Sequence, residues 1–319
     1  MKIVCIDGEH QYFETVQRDV IEPLASAGIR FDWFEERFAD TEAAIARAAG
    51  YDALYVIGDQ GPVPAGLLRQ NPQLRLVSFV GTGAARFVDF EEAREAGVTV
   101  THVPDFASES VAELAIALTF AVARRLTEAD RIVRAGEWTK NQGLKLAGGR
   151  FGVVGAGAIG GRTLARAKGL GMEPVLWNRS DPDGRAAAHG ARSVSREEHF
   201  AHSLLVSLHL THSAETDGFI TRELLESMRP DAILINTARA EIVDNAALRE
   251  LLAAGTIFGA GIDNFEHEPA LPEEIPHPET NVALSPHIGF HTNEADDVFR
   301  LAGENILAFR AGTPTNVVC

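Results

Sequence analysis

Three short polar segments, each directly after an apolar run, carry residue types that acid–base chemistry uses. The first ends at Arg239, the second contains Glu268 and the third contains His287. An arginine binds carboxylates through a planar fork of donors, and an imidazole exchanges protons near neutral pH. A carboxylate beside the imidazole stabilises its protonated form. These residue types predict an anion clamp, a proton donor and a charge that tunes the donor.

A fourth segment has the spacing G-x-G-x-x-G and lies between an apolar run at 151–154 and a helical pattern. The first glycine permits a tight turn, the second lets the backbone approach a pyrophosphate, and the third allows close contact between helix and strand. Free N–H groups at the start of the helix face the phosphates. Chance matches are common among 29 glycines, so an ordinary turn is the alternative. The strand–turn–helix context favours a dinucleotide site formed by Gly155, Gly157, Ala158, Ile159 and Gly160.

The residues after the next apolar run predict which dinucleotide binds. An NAD site usually has an acidic residue there to accept hydrogen bonds from the ribose 2′-hydroxyl. This chain has Asn178, Arg179 and Ser180 instead. The asparagine removes a charge that would repel a 2′-phosphate, and the arginine supplies a cation for it. We therefore expect NADP(H) to be preferred, with NAD(H) as the second choice. A solvated loop arginine is the alternative, which Asp181 and Asp183 nearby favour.

Apolar runs and helical patterns alternate along the whole chain, which predicts parallel strands joined by right-handed crossovers. We expect an α/β protein with two Rossmann-like or flavodoxin-like parallel-sheet domains, of five and six strands. The substrate (catalytic) domain comprises 1–102 and 288–319, and the NAD(P)-binding Rossmann domain, 103–287, is inserted into it. Predicted helices include 13–27, 293–310 and 109–125. The last is apolar on nearly all sides, which indicates burial between domains or against a partner subunit.

Composition excludes several classes of protein. The formal net charge of −16 argues against nucleic-acid binding, because such proteins need a basic surface. Cys5 and Cys319 are the two cysteines, too few for a disulfide framework. The longest apolar runs are too short to span a membrane, and Asp7 interrupts the N-terminal run, so we expect no signal peptide. We predict a cytoplasmic protein with no membrane contact and, since the histidine pairs lack further ligands, no bound metal.

The sequence resembles the D-isomer-specific 2-hydroxyacid dehydrogenase family, in particular its glyoxylate and hydroxypyruvate reductases. The resemblance extends over most of the chain through motifs in a common order, which are VGTG at 80–83, VAE at 111–113, the glycine turn, INTAR at 235–239, EP at 268–269 and SPHIG at 285–289. It implies that Arg239, Glu268 and His287 are catalytic and that a backbone loop at Thr82 and Gly83 binds the substrate carboxylate together with Arg239 and His287. It also implies that Asp263 contacts the nicotinamide amide, that Thr237 contacts the cofactor, and that a homodimer forms through the helix at 109–125.

The activity implied by the resemblance is reduction of a small 2-keto acid to the D-2-hydroxy acid, with NAD(P)H as hydride donor and His287 as proton donor. The chain departs from the family pattern at Arg86 and Thr211 and at the bulky pair Phe290 and His291. These departures leave the substrate open. A phosphonate or phosphite dehydrogenase on the same scaffold is one alternative, and an NAD(H)-sensing, corepressor-like binding protein is another.

Overall fold

The computed structural model describes residues 1–6, 8–58 and 61–319, so the predicted interruption at Asp7 lies outside the described residues. The chain forms two α/β units, each built on a parallel sheet as the sequence predicts. The first unit comprises Met1–Phe106 and Asn293–Cys319, and the second comprises Ala107–Thr292. The predicted domain boundaries, 102/103 and 287/288, are a few residues earlier than these.

The sheet of the first unit has five strands in the order β2-β1-β3-β4-β5, all parallel. This is a flavodoxin-like order. The strands are β1 (Lys2–Cys5), β2 (Arg30–Trp33), β3 (Ala53–Val56), β4 (Leu76–Phe79) and β5 (Thr99–Thr101). Alternate residues of the central strands enter apolar cores on opposite faces of the sheet, with Ile3 and Tyr55 on one side and Val4 and Leu54 on the other. Burial on both faces explains the continuous apolar runs in the sequence.

Helices cover both faces of this sheet. They are α1 (Phe13–Val16), α2 (Glu22–Ser26), α3 (Thr41–Ala48), α4 (Leu67–Gln70), α5 (Phe90–Ala96) and, after the second unit, α13 (Asp297–Arg310). The predicted helix 13–27 is interrupted by a π-helical turn at Gln17–Ile21, and the predicted helix 293–310 begins at Asp297 instead. Helix α13 is tied to the sheet because the Tyr55 hydroxyl donates to the carbonyl of Phe299 at 3.0 Å.

The sheet of the second unit has seven parallel strands in the order β12-β11-β10-β9-β6-β7-β8. They are β6 (Arg150–Val154), β7 (Glu173–Trp177), β8 (Arg192–Ser193), β9 (Leu205–Leu208), β10 (Ile233–Asn236), β11 (Gly259–Ile262) and β12 (Val282–Leu284). The prediction of six strands missed β8, which has two residues and no apolar run. The order reverses between β6 and β9, and ligands of open α/β sheets bind at the carboxyl ends beside such a switch point.

Seven helices surround this second sheet, and the prediction missed those at 126–134, 182–188 and 196–202. The helices are α6 (Ser108–Ala123), α7 (Leu126–Arg134), α8 (Ala158–Gly169), α9 (Pro182–Ala188), α10 (Arg196–His202), α11 (Arg222–Glu226) and α12 (Asn245–Ala253). Helix α6 buries Ala112, Ala115 and Leu118, whereas Ile116 and Phe120 remain partly exposed. Within the described ranges, no helix combines the length and apolar character required to cross a bilayer.

Candidate active site

The predicted catalytic residues follow three neighbouring strands of the second sheet. Arg239 comes after β10, Glu268 after β11 and His287 after β12, and these strands are adjacent in the sheet. Because the strands are parallel, their carboxyl ends lie at one edge. The glycine turn follows β6 at the same edge, with β9 between it and β10. The topology therefore places the candidate acid–base residues and the candidate dinucleotide turn on one side of the sheet.

Glu268 and His287 are in direct contact. The His287 Nδ1 atom lies 2.9 Å from Oε1 and 2.8 Å from Oε2 of the carboxylate. Both side chains are about one-third exposed, so the pair is partly shielded from water and still accessible. A carboxylate accepts hydrogen bonds only, so this contact places a proton on Nδ1. The other ring nitrogen, Nε2, then carries the proton that imidazolium can transfer.

The turn that carries His287 is held by Asp263. The backbone of His287 has φ = 54°, an uncommon conformation for a residue other than glycine. Its N–H donates to the Asp263 carbonyl at 2.7 Å. The buried Asp263 carboxylate also accepts from the Ser285 hydroxyl at 2.6 Å and from the Ile288 and Gly289 amides at 2.9 Å each. Sequence reasoning missed this supporting role, and the expected contact of Asp263 with a nicotinamide amide stays a prediction.

An aromatic side chain borders the imidazole. The Phe290 ring lies edge-on to the His287 ring, with centroids 6.1 Å apart and an interplanar angle of 80°. Phe290 is exposed. The ring adds an apolar surface beside the candidate proton donor.

The segment before Arg239 is a tight turn built by Asn236. The Asn236 side chain accepts from the Ala238 amide at 3.0 Å and donates to the Arg239 carbonyl at 3.0 Å. The half-buried Arg239 guanidinium donates to the Ala238 carbonyl at 2.7 Å. The motif residue Asn236, which sequence reasoning did not assign, thus fixes the backbone from which the guanidinium extends.

The glycine turn has the geometry that a pyrophosphate requires. Gly155 has φ = +94°, and a Cβ there would lie 2.9 Å from the His209 carbonyl oxygen. A Cβ on Gly160 would overlap the Gly155 carbonyl oxygen, so helix α8 needs glycine to pack this close. At Gly157 the position of a Cβ faces open space, as expected where backbone approaches a ligand. Ala158 and Ile159 begin helix α8 directly after this turn.

Two further observations support a dinucleotide at this edge. The Asn178 side chain accepts from the Ala156 amide at 3.0 Å and donates to the Ser180 carbonyl at 2.5 Å, so it links the loop after β7 to the glycine turn. The buried hydroxyl of Thr237 has no hydrogen-bond partner among the described residues. A buried polar atom without a partner is costly unless a ligand satisfies it. These residues fit the nicotinamide dinucleotide that the sequence predicts.

The arginine expected to select the cofactor is exposed and paired. Arg179 contacts the carboxylate of Glu215, which lies on the loop after β9. A second arginine, Arg185 of α9, donates to the Ala156 carbonyl at 2.9 Å. Sequence reasoning missed Arg185, because α9 was not predicted. Two cations therefore lie close to the loop that follows β7.

A half-buried histidine adjoins the glycine turn. His209 follows β9, its Nε2 lies 2.8 Å from the Ser207 hydroxyl, and desolvation lowers the pKa of its imidazole to about 3. It is therefore neutral at physiological pH. A neutral imidazole adds no charge beside the phosphates that the turn is expected to bind.

Thr82 and Gly83 belong to the first unit, where they follow the carboxyl end of β4. The Thr82 hydroxyl donates to the Val103 carbonyl at 3.0 Å, and the Thr82 carbonyl lies 2.9 Å from Nδ1 of His102. Both loop residues are exposed, and so is Arg86 in the 3₁₀ turn Ala84–Arg86 that comes next. Hydrogen bonds of Thr82 therefore fix the loop, while Thr82 and Gly83 remain exposed to solvent.

Comparison with known proteins agrees with this geometry. The sequence model of the D-isomer specific 2-hydroxyacid dehydrogenase NAD binding domain matches residues 116–289. The glyoxylate reductase of Thermococcus litoralis is 40% identical over 263 residues, 79% of either chain. That of Korarchaeum cryptofilum is 35% identical over 294 residues, 90% of this chain and 88% of the relative.

A solved structure of an acyclic imino acid reductase, in complex with NADPH and D-arginine, is 26% identical to this chain. It matches with a TM-score of 0.86 over the full length of both chains. The family match covers more than half of the sequence and includes the glycine turn, Arg239, Glu268 and His287. The protein is therefore an NAD(P)-dependent dehydrogenase, and it belongs to the D-isomer specific 2-hydroxyacid dehydrogenase family.

Proposed function

We propose that this enzyme reduces a small 2-keto acid, such as glyoxylate or hydroxypyruvate, to the D-2-hydroxy acid and prefers NADPH. The contact between Glu268 and His287 is the observation that carries the proposal, because it provides a poised proton donor at the edge that holds the glycine turn. The relatives named above are glyoxylate reductases, which supports a short substrate.

His287 supplies the proton in the proposed reaction. Glu268 stabilises the imidazolium through Nδ1, and the proton on Nε2 passes to the keto oxygen as that oxygen gains negative charge. When bound, the nicotinamide supplies the hydride that reduces the keto carbon. The imidazole is left neutral and takes up a proton from solvent before the next turnover. In the oxidative direction the same nitrogen acts as the base.

Arg239 binds and polarises the substrate. Its guanidinium pairs with the carboxylate and donates a charge-assisted hydrogen bond to the 2-keto oxygen, where negative charge develops. The turn built by Asn236 keeps the arginine at the end of β10. In this proposal, backbone N–H groups at Thr82 and Gly83 bind the same carboxylate, and Asp263 accepts a hydrogen bond from the nicotinamide amide.

The cofactor preference is assigned to the loop after β7. Asn178 leaves no negative charge at the position where an acidic residue would select NAD, and Arg179 and Ser180 provide donors for a 2′-phosphate. Arg185 adds a cation nearby. The neighbour of known structure was solved with NADPH, which supports this preference.

We propose a homodimer through α6 in the cytoplasm. Ile116 and Phe120 are partly exposed on α6 although the helix is strongly apolar, so a second copy packed there would remove them from water. Light scattering on the purified protein measures the assembly directly, and a monomer at micromolar concentration contradicts the dimer.

A screen of cofactor oxidation and reduction tests the function. Purified protein is mixed with NADPH or NADH and glyoxylate, hydroxypyruvate or bulkier 2-keto acids, and separately with NADP⁺ or NAD⁺ and phosphite or phosphonates. We expect the fastest oxidation with NADPH and the two smallest keto acids. Reduction of the oxidised cofactor by phosphite or a phosphonate, without turnover of any keto acid, would assign the scaffold to that reaction. Cofactor binding without turnover of any substrate would support a dinucleotide-sensing binding protein.

A further inference from the structure

We propose that His267 and Glu274 form a clasp that holds Glu268 in contact with His287. The inference rests on the proposed roles of Glu268 and His287, and it assigns a positioning function to two residues that touch neither substrate nor cofactor. We call residues 264–275, the segment after β11 that carries Glu268, the acid loop.

One buried carboxylate fixes the acid loop on both sides of Glu268. The Glu274 side chain is 6% exposed. Its Oε2 atom accepts from the backbone amides of His267 and Leu271, each at 3.3 Å. Its Oε1 atom contacts Nδ1 of the His267 imidazole. Glu274 thus fixes the residue immediately before Glu268 and another three positions after it.

The clasp is an ion pair in character. The hydrogen bond and the charge of Glu274 raise the pKa of the His267 imidazole, with smaller contributions from Glu266 and Glu273. Burial acts to raise the pKa of the Glu274 carboxyl, but hydrogen bonds from His267 and Leu271 outweigh it and hold that pKa below its usual value. A charged carboxylate is therefore maintained under the loop, where it accepts from three donors.

The contact of Glu268 with His287 depends on where the acid loop places the carboxylate. Its Oε1 atom also accepts from the Phe265 amide within the same loop, at 3.3 Å. Both carboxylate oxygens lie within 2.9 Å of His287 Nδ1, a geometry that a shift of about 1 Å in the loop would break. Since Glu274 fixes the backbone on either side of Glu268, the clasp maintains the contact between Glu268 and His287.

The test compares Glu274→Gln with Glu273→Gln. Both changes remove one negative charge from adjacent positions, but Glu273 is exposed and accepts no loop amide in the described structure. We expect Glu274→Gln to lower kcat for keto-acid reduction about tenfold and to leave the KM for the keto acid nearly unchanged. NADPH affinity, measured by quenching of tryptophan fluorescence, should stay unchanged. Glu273→Gln should match wild type in all three measurements.

A double variant separates the clasp from a general loss of structure. If Glu274 acts through Glu268, adding Glu274→Gln to Glu268→Gln should cause little further loss of kcat. Additive losses would overturn the clasp, and so would a wild-type kcat in Glu274→Gln. If Glu274→Gln does not fold, His267→Gln, which changes an exposed side chain, should show the same loss of kcat to a smaller degree, and a wild-type kcat there would contradict the clasp. Normal turnover of Glu268→Gln alone would refute the proposed function instead.

Discussion

Asp263 supports His287 through both backbone and side chain. The Asp263 carbonyl accepts from the His287 amide at 2.7 Å, and its buried carboxylate accepts three hydrogen bonds from the residues around that histidine. The φ of 54° at His287 is an uncommon conformation that persists only when its surroundings hold it. The position of the proposed proton donor is therefore maintained by the neighbouring strand end.

Replacing Asp263 with asparagine should disturb this turn. A carboxamide has one acceptor oxygen and two donor hydrogens, so it cannot satisfy two amides and a hydroxyl together. We expect the Asp263→Asn variant to lose about 1–3 kcal/mol of unfolding free energy and most of its kcat. Urea denaturation and steady-state kinetics measure both. Ser285→Ala removes one of these hydrogen bonds and should lower the free energy of unfolding by less. An Asp263→Asn enzyme as stable and active as wild type would contradict the supporting role of Asp263.

The guanidinium of Arg239 should not be replaceable by an amine. Arg239→Lys keeps the charge but loses the planar fork that contacts carboxylate and keto oxygen together. We expect kcat/KM for the keto acid to fall about a hundredfold, with unchanged NADPH binding. Arg229→Lys is a matched control, since Arg229 pairs with Asp231 at the surface, away from the strand carboxyl ends. Near-normal kcat/KM in Arg239→Lys would remove Arg239 from the mechanism.

Cofactor selectivity should depend on the pair Arg179 and Glu215. A 2′-phosphate must compete with the Glu215 carboxylate for the guanidinium, whereas NADH leaves the pair undisturbed. Glu215→Gln should therefore lower the dissociation constant for NADPH severalfold, and Arg179→Ala should raise it about tenfold, both with little change for NADH. Fluorescence titration measures these constants. Asp217→Asn, on the same loop, is the charge-matched control, and equal effects on NADPH and NADH would contradict the assignment.

Stability should fall in mild acid because of His199. This side chain is buried, and burial lowers its pKa from 6.5 to about 4. Between these values the unfolded chain binds a proton that the folded chain does not, so acid lowers the free energy of unfolding, by at most about 3 kcal/mol. In His199→Leu this pH dependence should shrink. His202→Gln, which changes an exposed residue of the same helix, should retain the pH dependence. Equal slopes of unfolding free energy against pH in wild type and His199→Leu would contradict the explanation.

Much of the fold could be predicted because buried parallel strands leave a direct signal in the sequence. Strands such as β3 and β10 are buried on both faces and appear as continuous apolar runs. The two-residue strand β8 and the short helix α9 were missed, since neither carries a periodic apolar pattern long enough to detect. Missing α9 also concealed Arg185.

The candidate site was predicted in its residue types but not in its supporting contacts. Glu268 and His287 were paired from motifs, and the structure places them in contact. The contacts of Asp263 with the histidine turn and of Glu274 with the acid loop were not predicted. Such contacts depend on where a loop returns after several irregular residues, and a periodicity argument contains no information about that path.

In the proposed reaction His287, held by Glu268, delivers the proton to the keto oxygen. The measurement is kcat for glyoxylate reduction by wild type, His287→Asn and Glu268→Gln, each saturated with NADPH. We expect a loss of about a thousandfold or more in His287→Asn and a smaller but clear loss in Glu268→Gln, with NADPH affinity retained in both. Near-wild-type kcat in either variant would refute the proton-transfer role of the pair.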